Sequence, residues 1–300
     1  MPDWNLNEHN PGFPQSSNEP LSRSTAVNHS ICVTCGTQFS ASDDPPAACP
    51  ICEDERQYVP GAQRWTTLQA MRRTHRNVVQ RIEPHLYGIG TEPRFAIGQR
   101  ALLVRTPGGN VLWDCIALLD DGTADVVRAL GGLRAIAISH PHYYTTMVEW
   151  AHEFGCPVLL HEADREWVMR PDPSIRFWSG ETRGLDDVGI DGLALVRCGG
   201  HFAGGTVLHW PAGADGHGAL LTGDIIQVVP DRRYVSFMRS YPNLVPLDAA
   251  SVTRIVAAVE PLAYDRVYGA WWDLHVEEDA KAAVARSASR YLAAIAGPPA

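Results

Sequence analysis

No stretch of this sequence approaches the roughly 18 to 20 uninterrupted apolar residues that a membrane-crossing helix requires. Its start lacks the basic segment followed by an apolar run that marks a secretory signal. Positive charge is scarce: 25 Lys and Arg stand against 34 Asp and Glu, a formal net charge of −9. A dedicated nucleic-acid binder neutralises phosphates with clustered Lys and Arg, so this balance argues against that class of partner. There is no short-period internal repeat, and no low-complexity segment beyond the stretch from Met1 to about Ser30. That stretch is rich in Pro, Asn and Ser and reads as a flexible leader over residues 1–30. The seven cysteines do not form a secreted disulfide framework, because four share one tight array while Cys115, Cys156 and Cys198 are scattered and read as core residues. A reducing, cytoplasmic setting without membrane attachment is expected.

What is present begins with that array. Cys32, Cys35, Cys49 and Cys52 form Cys-x2-Cys-x13-Cys-x2-Cys, with Gly36 after the first pair and Pro50 inside the second. Two tight knuckles at this spacing bring four thiolates to the corners of one tetrahedral metal site. Four soft ligands saturate a zinc ion, so the expected zinc is structural and any catalysis lies elsewhere. Residues 31–62 therefore resemble a rubredoxin-like zinc ribbon. With 300 residues, 45% of them hydrophobic, the chain is long enough for one large domain beside this module.

Downstream, Leu68, Met71, His75 and Val79 recur at intervals of three and four, which predicts a helix from Trp65 to about Ile82 and a connecting helix for residues 63–87. From Gly88 the pattern changes. Phe95 to Arg105 and Val111 to Ile116 read as strands joined by the hairpin chemistry of Thr106-Pro-Gly-Gly-Asn110. A helix over Asp121 to Ala129, a strand over Ala135 to Ser139, a helix over Thr146 to Phe154, a strand over Pro157 to Leu160 and a helix over Asp164 to Met169 follow. Thr146 and Glu149 have capping-box spacing. The second half repeats the theme, with strands at Ile175 to Trp178, Leu193 to Arg197, Gly205 to Trp210, Ala219 to Thr222 and Asp265 to Tyr268. Its helices run from an Asp248 cap to about Val259 and from Glu277 to Ile295.

His140-Pro-His142 stands where a strand gives way to a helix, so its two imidazoles can point to one side of the chain at metal-ligand spacing. His201 lies among Gly199, Gly200, Gly204 and Gly205, small residues that let backbone approach a ligand. Asp224 ends the run Ala219-Leu-Leu-Thr-Gly-Asp224 at a strand tip. Taken singly, His201 reads equally as a loop histidine and Asp224 as a turn residue. Tyr143 and Tyr144 have a hydrogen-bonding role open to them and an aromatic packing role as the alternative. Trp271, Trp272 and His275 read either as the wall of an apolar or aromatic pocket or as packing, and His161 as a weaker candidate for the same side of the sheet.

The order of these pieces resembles the metallo-β-lactamase fold superfamily over roughly Gly88 to Ile295. The resemblance is carried by Val111-Leu-Trp-Asp114 before the paired histidines, by His140-Pro-His142, by the Gly-rich loop at His201 and by Thr222-Gly-Asp224. It implies an α/β (α+β) fold, an αββα metallo-β-lactamase-like sandwich over residues 88–300 preceded by the small zinc ribbon. Against the family's His-x-His-x-Asp-His motif, Tyr144 replaces the aspartate and Thr145 the last histidine. Ala270 stands where the family's late histidine is expected, with His275 five residues on. The resemblance thus implies a depleted pocket in which His140, His142, His201 and Asp224 hold a single ion, zinc or alternatively iron. It further implies hydrolysis of an ester, thioester or lactone as small-molecule substrate through a metal-bound water, with Asp224 and Tyr144 as candidate catalytic residues. The rival readings are a non-catalytic binding protein whose ribbon docks a partner protein, and an iron-dependent redox or oxygen enzyme on the same fold.

Overall fold

Alternation of apolar side chains along successive strands sorts them onto two faces, and that sorting builds the molecule. The computed structural model describes residues 28–297; the expected leader lies outside them except for its last three residues. Numbering the elements of the main body, β1 (Arg76–Glu83), β2 (Leu86–Glu92), β3 (Arg100–Thr106), β4 (Gly109–Trp113), β5 (Ala135–Ala137), β6 (Val158–His161) and β7 (Ile175–Trp178) form one sheet in chain order. The first four pair antiparallel and the last three join in parallel. Parallel neighbours need a crossover. Two helices interpose where the pairing changes: Asp121–Ala129, capped by Asp120 accepting from Thr123 N at 2.7 Å, and Met147–Phe154, stopped by Gly155 at φ +62°. The second sheet also runs in chain order, through β8 (Thr182–Leu185), β9 (Ile190–Arg197), β10 (Thr206–Trp210), β11 (Ala219–Gly223), β12 (Arg266–Gly269) and β13 (His275–Val276). Only β11 and β12 are parallel, and helix Ala249–Val259 lies between them in the chain. Helix Ala280–Ala296 follows β13.

Leu102, Val104, Val111 and Trp113 of the first sheet meet Leu195, Leu208, Leu221 and Tyr268 of the second in one buried layer. Their neighbours Leu103 and Leu112 turn the other way, to pack with Val127 and Trp150 of the first helix pair. Val207 and Leu220 likewise pack with Val252, Ile255 and Val284 of the second pair. Period-two alternation thus yields four layers, αββα, the metallo-β-lactamase-like architecture. Among the described residues no helix is long and apolar enough to cross a membrane.

The ribbon precedes this body. Ile31–Cys32 pairs antiparallel with Trp65–Thr66, and Pro50–Glu53 forms one helical turn. All four cysteines are buried together with Phe39 and Ile51. Gln38 N donates to Thr145 O at 3.2 Å and Ser40 N to Met169 O at 3.1 Å, so the module is seated on the main body.

Four local expectations are corrected. The helix expected over Trp65 to Ile82 covers only Leu68–Thr74, because Asn77 and Val79 turn inward at period two as strand β1; the sheet therefore begins within the segment read as a connecting helix, residues 63–87. The strand expected from Phe95 starts at Arg100, since Ala96 at φ +52° and Gly98 at φ +77° are incompatible with extended backbone. The Thr146 hydroxyl does not cap its helix; its single proton is directed between Ile116 O at 3.1 Å and Ala117 O at 3.0 Å, while Glu149 accepts from Arg170 at 2.6 Å. The helix expected over Asp164 to Met169 is a 3-10 stretch, Glu162–Trp167, whose Asp164 carboxylate is drawn off to Gly204 N at 2.7 Å.

Candidate metal centre and its pocket

His140 and His142 leave the end of β5 on a tight 3-10 turn, Pro141–Tyr143, whose proline is preset for that backbone. Asp224 follows the last residue of β11, in the other sheet. Thr206 N donates to Ser139 O at 2.9 Å and ties the two sheet ends together beside them. His201 arrives on the loop between β9 and β10. One ligand atom from each of the four residues lies within 4.8 Å of all the others, and all four side chains are buried.

The hydrogen bonds fix two tautomers. His201 Nδ1 lies 3.0 Å from Met238 O, which can only accept, so Nδ1 carries the proton and Nε2 is bare. Ser139 spends its hydroxyl proton on Asp114 Oδ1 at 2.7 Å, so His140 Nδ1, 2.9 Å from Ser139 Oγ, must donate to that hydroxyl oxygen, and His140 Nε2 is bare as well. That bare nitrogen faces Asp224 Oδ1 at 3.1 Å. Neither atom has a hydrogen-bond partner. Two buried acceptors held against each other repel unless a proton or cation lies between them. His142 Nδ1 completes the set at 3.2 Å from His201 Nε2.

The electrostatics agree. Burial pushes the Asp224 carboxyl up to about 8, with help from the Asp114 charge, and pushes Asp114 itself up to about 7. Burial holds His201 down to about 4 and both other imidazoles well below their usual value. The imidazoles are thus kept neutral, and without a cation beside it the Asp224 carboxyl is driven toward its protonated form. A donor set of three neutral imidazoles and one carboxylate suits a divalent transition metal, zinc or iron among them.

The cysteine array fits its expected ion equally well. Cys32 and Cys52 sulfurs are 3.6 Å apart and Cys35 and Cys49 sulfurs 3.7 Å, close to the roughly 3.8 Å that tetrahedral metal–sulfur bonds of about 2.3 Å demand. Contacts with the neighbouring thiols push Cys32 toward the thiolate but raise Cys35 and Cys52, because adjacent sulfurs resist shedding their protons together. A cation removes that resistance. Among the described residues these are the two clusters able to hold a metal.

His142, His201 and Asp224 lie on the wall of a cavity of about 330 Å³. Ala96, Ile97, Trp271, Tyr241 and Pro242 line it with them. Arg94 and, from the ribbon, Thr34, Arg56, Gln57 and Tyr58 complete the lining. The ribbon, expected as a module beside the large domain, also forms part of the pocket wall.

Of the aromatic candidates, Trp271 lines the cavity and donates its indole N–H to Ile97 O at 3.1 Å. Trp272 does not; it lies across Gly88 and Gly90, where any Cβ would come within 2.7 Å of its ring, and under Arg100. His275 is on the edge strand, 3.2 Å from Glu277, and His161 caps the following turn by accepting from Ala163 N. Tyr143 packs on the His140 ring at 4.4 Å. Tyr144, a candidate catalytic residue, is instead buried in the layer between the first sheet and its helices. An aromatic ring following the tight turn at Pro141 has the apolar layer directly beneath it, and burial raises its phenol well above the usual range. Thr145 turns its methyl to the ribbon, where a Cβ on Gly36 would sit 3.1 Å away, and Ala270 is buried with its carbonyl bonded to Arg100 N. None of these three positions adds a metal-binding group to the pocket.

Sequence reasoning passed over Ser139, Arg56, Asp164 and Tyr241. Ser139 carries the link from Asp114 to His140. Asp164 pins the His201 loop through Gly204, and Tyr241 donates its hydroxyl to Asp224 O at 2.8 Å. The only available signal was Ser139 between a buried strand and the first histidine. The glycines around His201 serve packing rather than ligand approach: a Cβ on Gly200, at φ +81°, would lie 2.7 Å from Ile255.

No family model matches the chain. It is 54% identical over 268 residues, 88% of this chain and 96% of the relative, to the uncharacterized protein YmaE of Bacillus subtilis (strain 168). The chain belongs to the YmaE family. Solved structures similar to this YmaE-family fold include the DIM-1 metallo-β-lactamase, at TM-score 0.53 and 14% identity over 74% of this chain and 98% of that one. VMB-1 gives TM-score 0.52 and 13% identity over 73% and 98%. The metallo-β-lactamase FIM-1 from Pseudomonas aeruginosa gives TM-score 0.52 and 14% identity over 71% and 95%. These likenesses establish the fold.

Proposed function

We propose that this protein is a metal-dependent hydrolase of a small ester, thioester or lactone, with one cation in the histidine pocket and a structural zinc in the ribbon. The observation that carries the reading is the convergence of the bare His140 and His201 nitrogens with His142 and Asp224 in one cluster, three of whose members, His142, His201 and Asp224, lie on a cavity wall. A divalent cation bound there supplies Lewis acidity, lowering the pKa of water toward about 7 and polarising a carbonyl. The chain's own part is to hold that centre. Asp114 and Ser139 orient His140 and fix its tautomer, and Met238 O does the same for His201. Asp224 is the only carboxylate among the residues on the cavity wall, so it is the group placed to hold or pass a proton there. Trp271, Ile97 and Tyr58 offer apolar surface to the acyl or leaving group.

Single-cation occupancy is supported by the packing at Tyr144, Thr145 and Ala270 described above. The related fold of FIM-1 was solved in a mono-zinc form. Ester, thioester and lactone panels run on protein of measured metal content test the reading. Turnover that disappears with His140→Ala, while the ribbon metal is retained, is the expected result. Equal turnover in that variant contradicts it.

A further inference from the structure

The ribbon reaches the histidine cluster through one side chain. Arg56 lies four residues after Cys52, and its guanidinium forms a fork with Asp54, Nε to Oδ1 at 2.5 Å and Nη2 to Oδ2 at 2.8 Å. The pairing is largely buried, at 11% and 18% side-chain exposure, so the fork is held in one orientation. From it, Nη1 donates to His201 O at 3.3 Å. The guanidinium plane also lies 3.9 Å over the Phe202 ring and 5.1 Å from Trp167. Phe202 in turn touches all three imidazoles, with ring centroids 5.5, 4.9 and 5.2 Å from His140, His142 and His201.

The main body grips the same ribbon segment from the other side. Ser240 Oγ donates to Arg56 O at 3.0 Å, and Asn243 Nδ2 donates to Glu55 O at 3.1 Å and Gln57 O at 3.0 Å. Arg239 pairs with Glu55. Met238, one residue before Arg239, supplies the carbonyl that fixes the His201 tautomer. Residues 54–57 are thus clamped between the cysteine knuckle and the loop that orients His201.

We infer that Arg56 is a positioning residue for the pocket cation, and that the ribbon, through it, sets how tightly the histidine cluster holds its metal. The inference rests on the pocket binding a cation, as proposed above. Partners that hydrogen-bond the free ring nitrogen of a ligating histidine typically change metal affinity by about 10- to 100-fold when removed, and Arg56 acts on the backbone of such a residue instead. Arg56 holds both the backbone of His201 and the ring against which all three histidines pack, so a loss at the lower end of that range, about tenfold, is expected. Lysine is no substitute. It keeps the charge but has no planar fork to hold Asp54 while reaching His201 O.

Cobalt(II) titration of the full chain separates the two sites, because a tetrathiolate site shows sulfur-to-metal charge-transfer absorption that a histidine–carboxylate site lacks. In the unaltered protein both signals should develop. In Arg56→Ala the thiolate signal should remain and the pocket dissociation constant should rise about tenfold. Arg56→Lys should show a rise in the same direction, and it decides the matter if the alanine variant does not fold. Unchanged pocket affinity in a folded variant overturns the inference. A missing pocket signal in the unaltered protein instead overturns the hydrolase reading, so the two failures are distinguishable.

Discussion

At the scale of single residues the site depends on groups that never face the cavity. Ser139 is the clearest, since its hydroxyl both binds Asp114 and receives the His140 proton. Ser139→Ala should weaken pocket metal binding by about 10- to 100-fold, read by chelator competition, without changing the ribbon's metal. Tyr144→Phe should leave hydrolysis within about twofold of the parent, because the ring is buried in an apolar layer away from the cavity wall. The two results together separate orientation from packing at the same turn. His140, His142 and Asp224 are legible in the sequence because they follow apolar runs at strand ends, and His201 because glycines frame it. Arg56, Ser139 and Asp164 are not. Their partners, His201, Asp114 and Gly204, are distant along the chain, and no local pattern marks a residue whose role is a contact of that kind.

At the scale of elements, legibility followed the strength of the local signal. Helix Asp121–Ala129 and strand Ile175–Trp178 have the bounds read from the sequence, and Asp248 caps its helix by accepting from Ser251 N at 2.9 Å. Asp248→Ala should cost about 1 kcal/mol of stability, measured by denaturant unfolding. Strand β1 has no local signature, because Leu68, Met71, His75 and Val79 keep helical spacing across a boundary that only sheet pairing with β2 imposes. The capping box at Thr146 failed for a similar reason, as buried carbonyls at Ile116 and Ala117 claim its hydroxyl. In the His201 loop, Gly200→Ala combines a left-handed backbone with a Cβ 2.7 Å from Ile255. It should destabilise the protein by roughly 1 to 3 kcal/mol and lower pocket metal affinity with it, checked by thermal unfolding and metal titration on the same sample.

At the scale of the whole molecule the two candidate centres are one assembly, since the ribbon forms part of the wall around the histidine pocket. Stripping metal with a chelator should lower the unfolding midpoint, and restored zinc should raise it again, because ions that bind only the folded chain stabilise it by mass action. The αββα layers were legible as alternating strands and helices, whereas the seating of the ribbon on the main body had no signature along the chain. Metal stoichiometry tests the central claim most directly, in the unaltered protein, in His140→Ala/His201→Ala and in a variant lacking the ribbon cysteines. Two equivalents per chain, falling to one in the double histidine variant, is the predicted result. One equivalent in the unaltered protein, lost entirely with the ribbon cysteines, would contradict a metal-holding pocket.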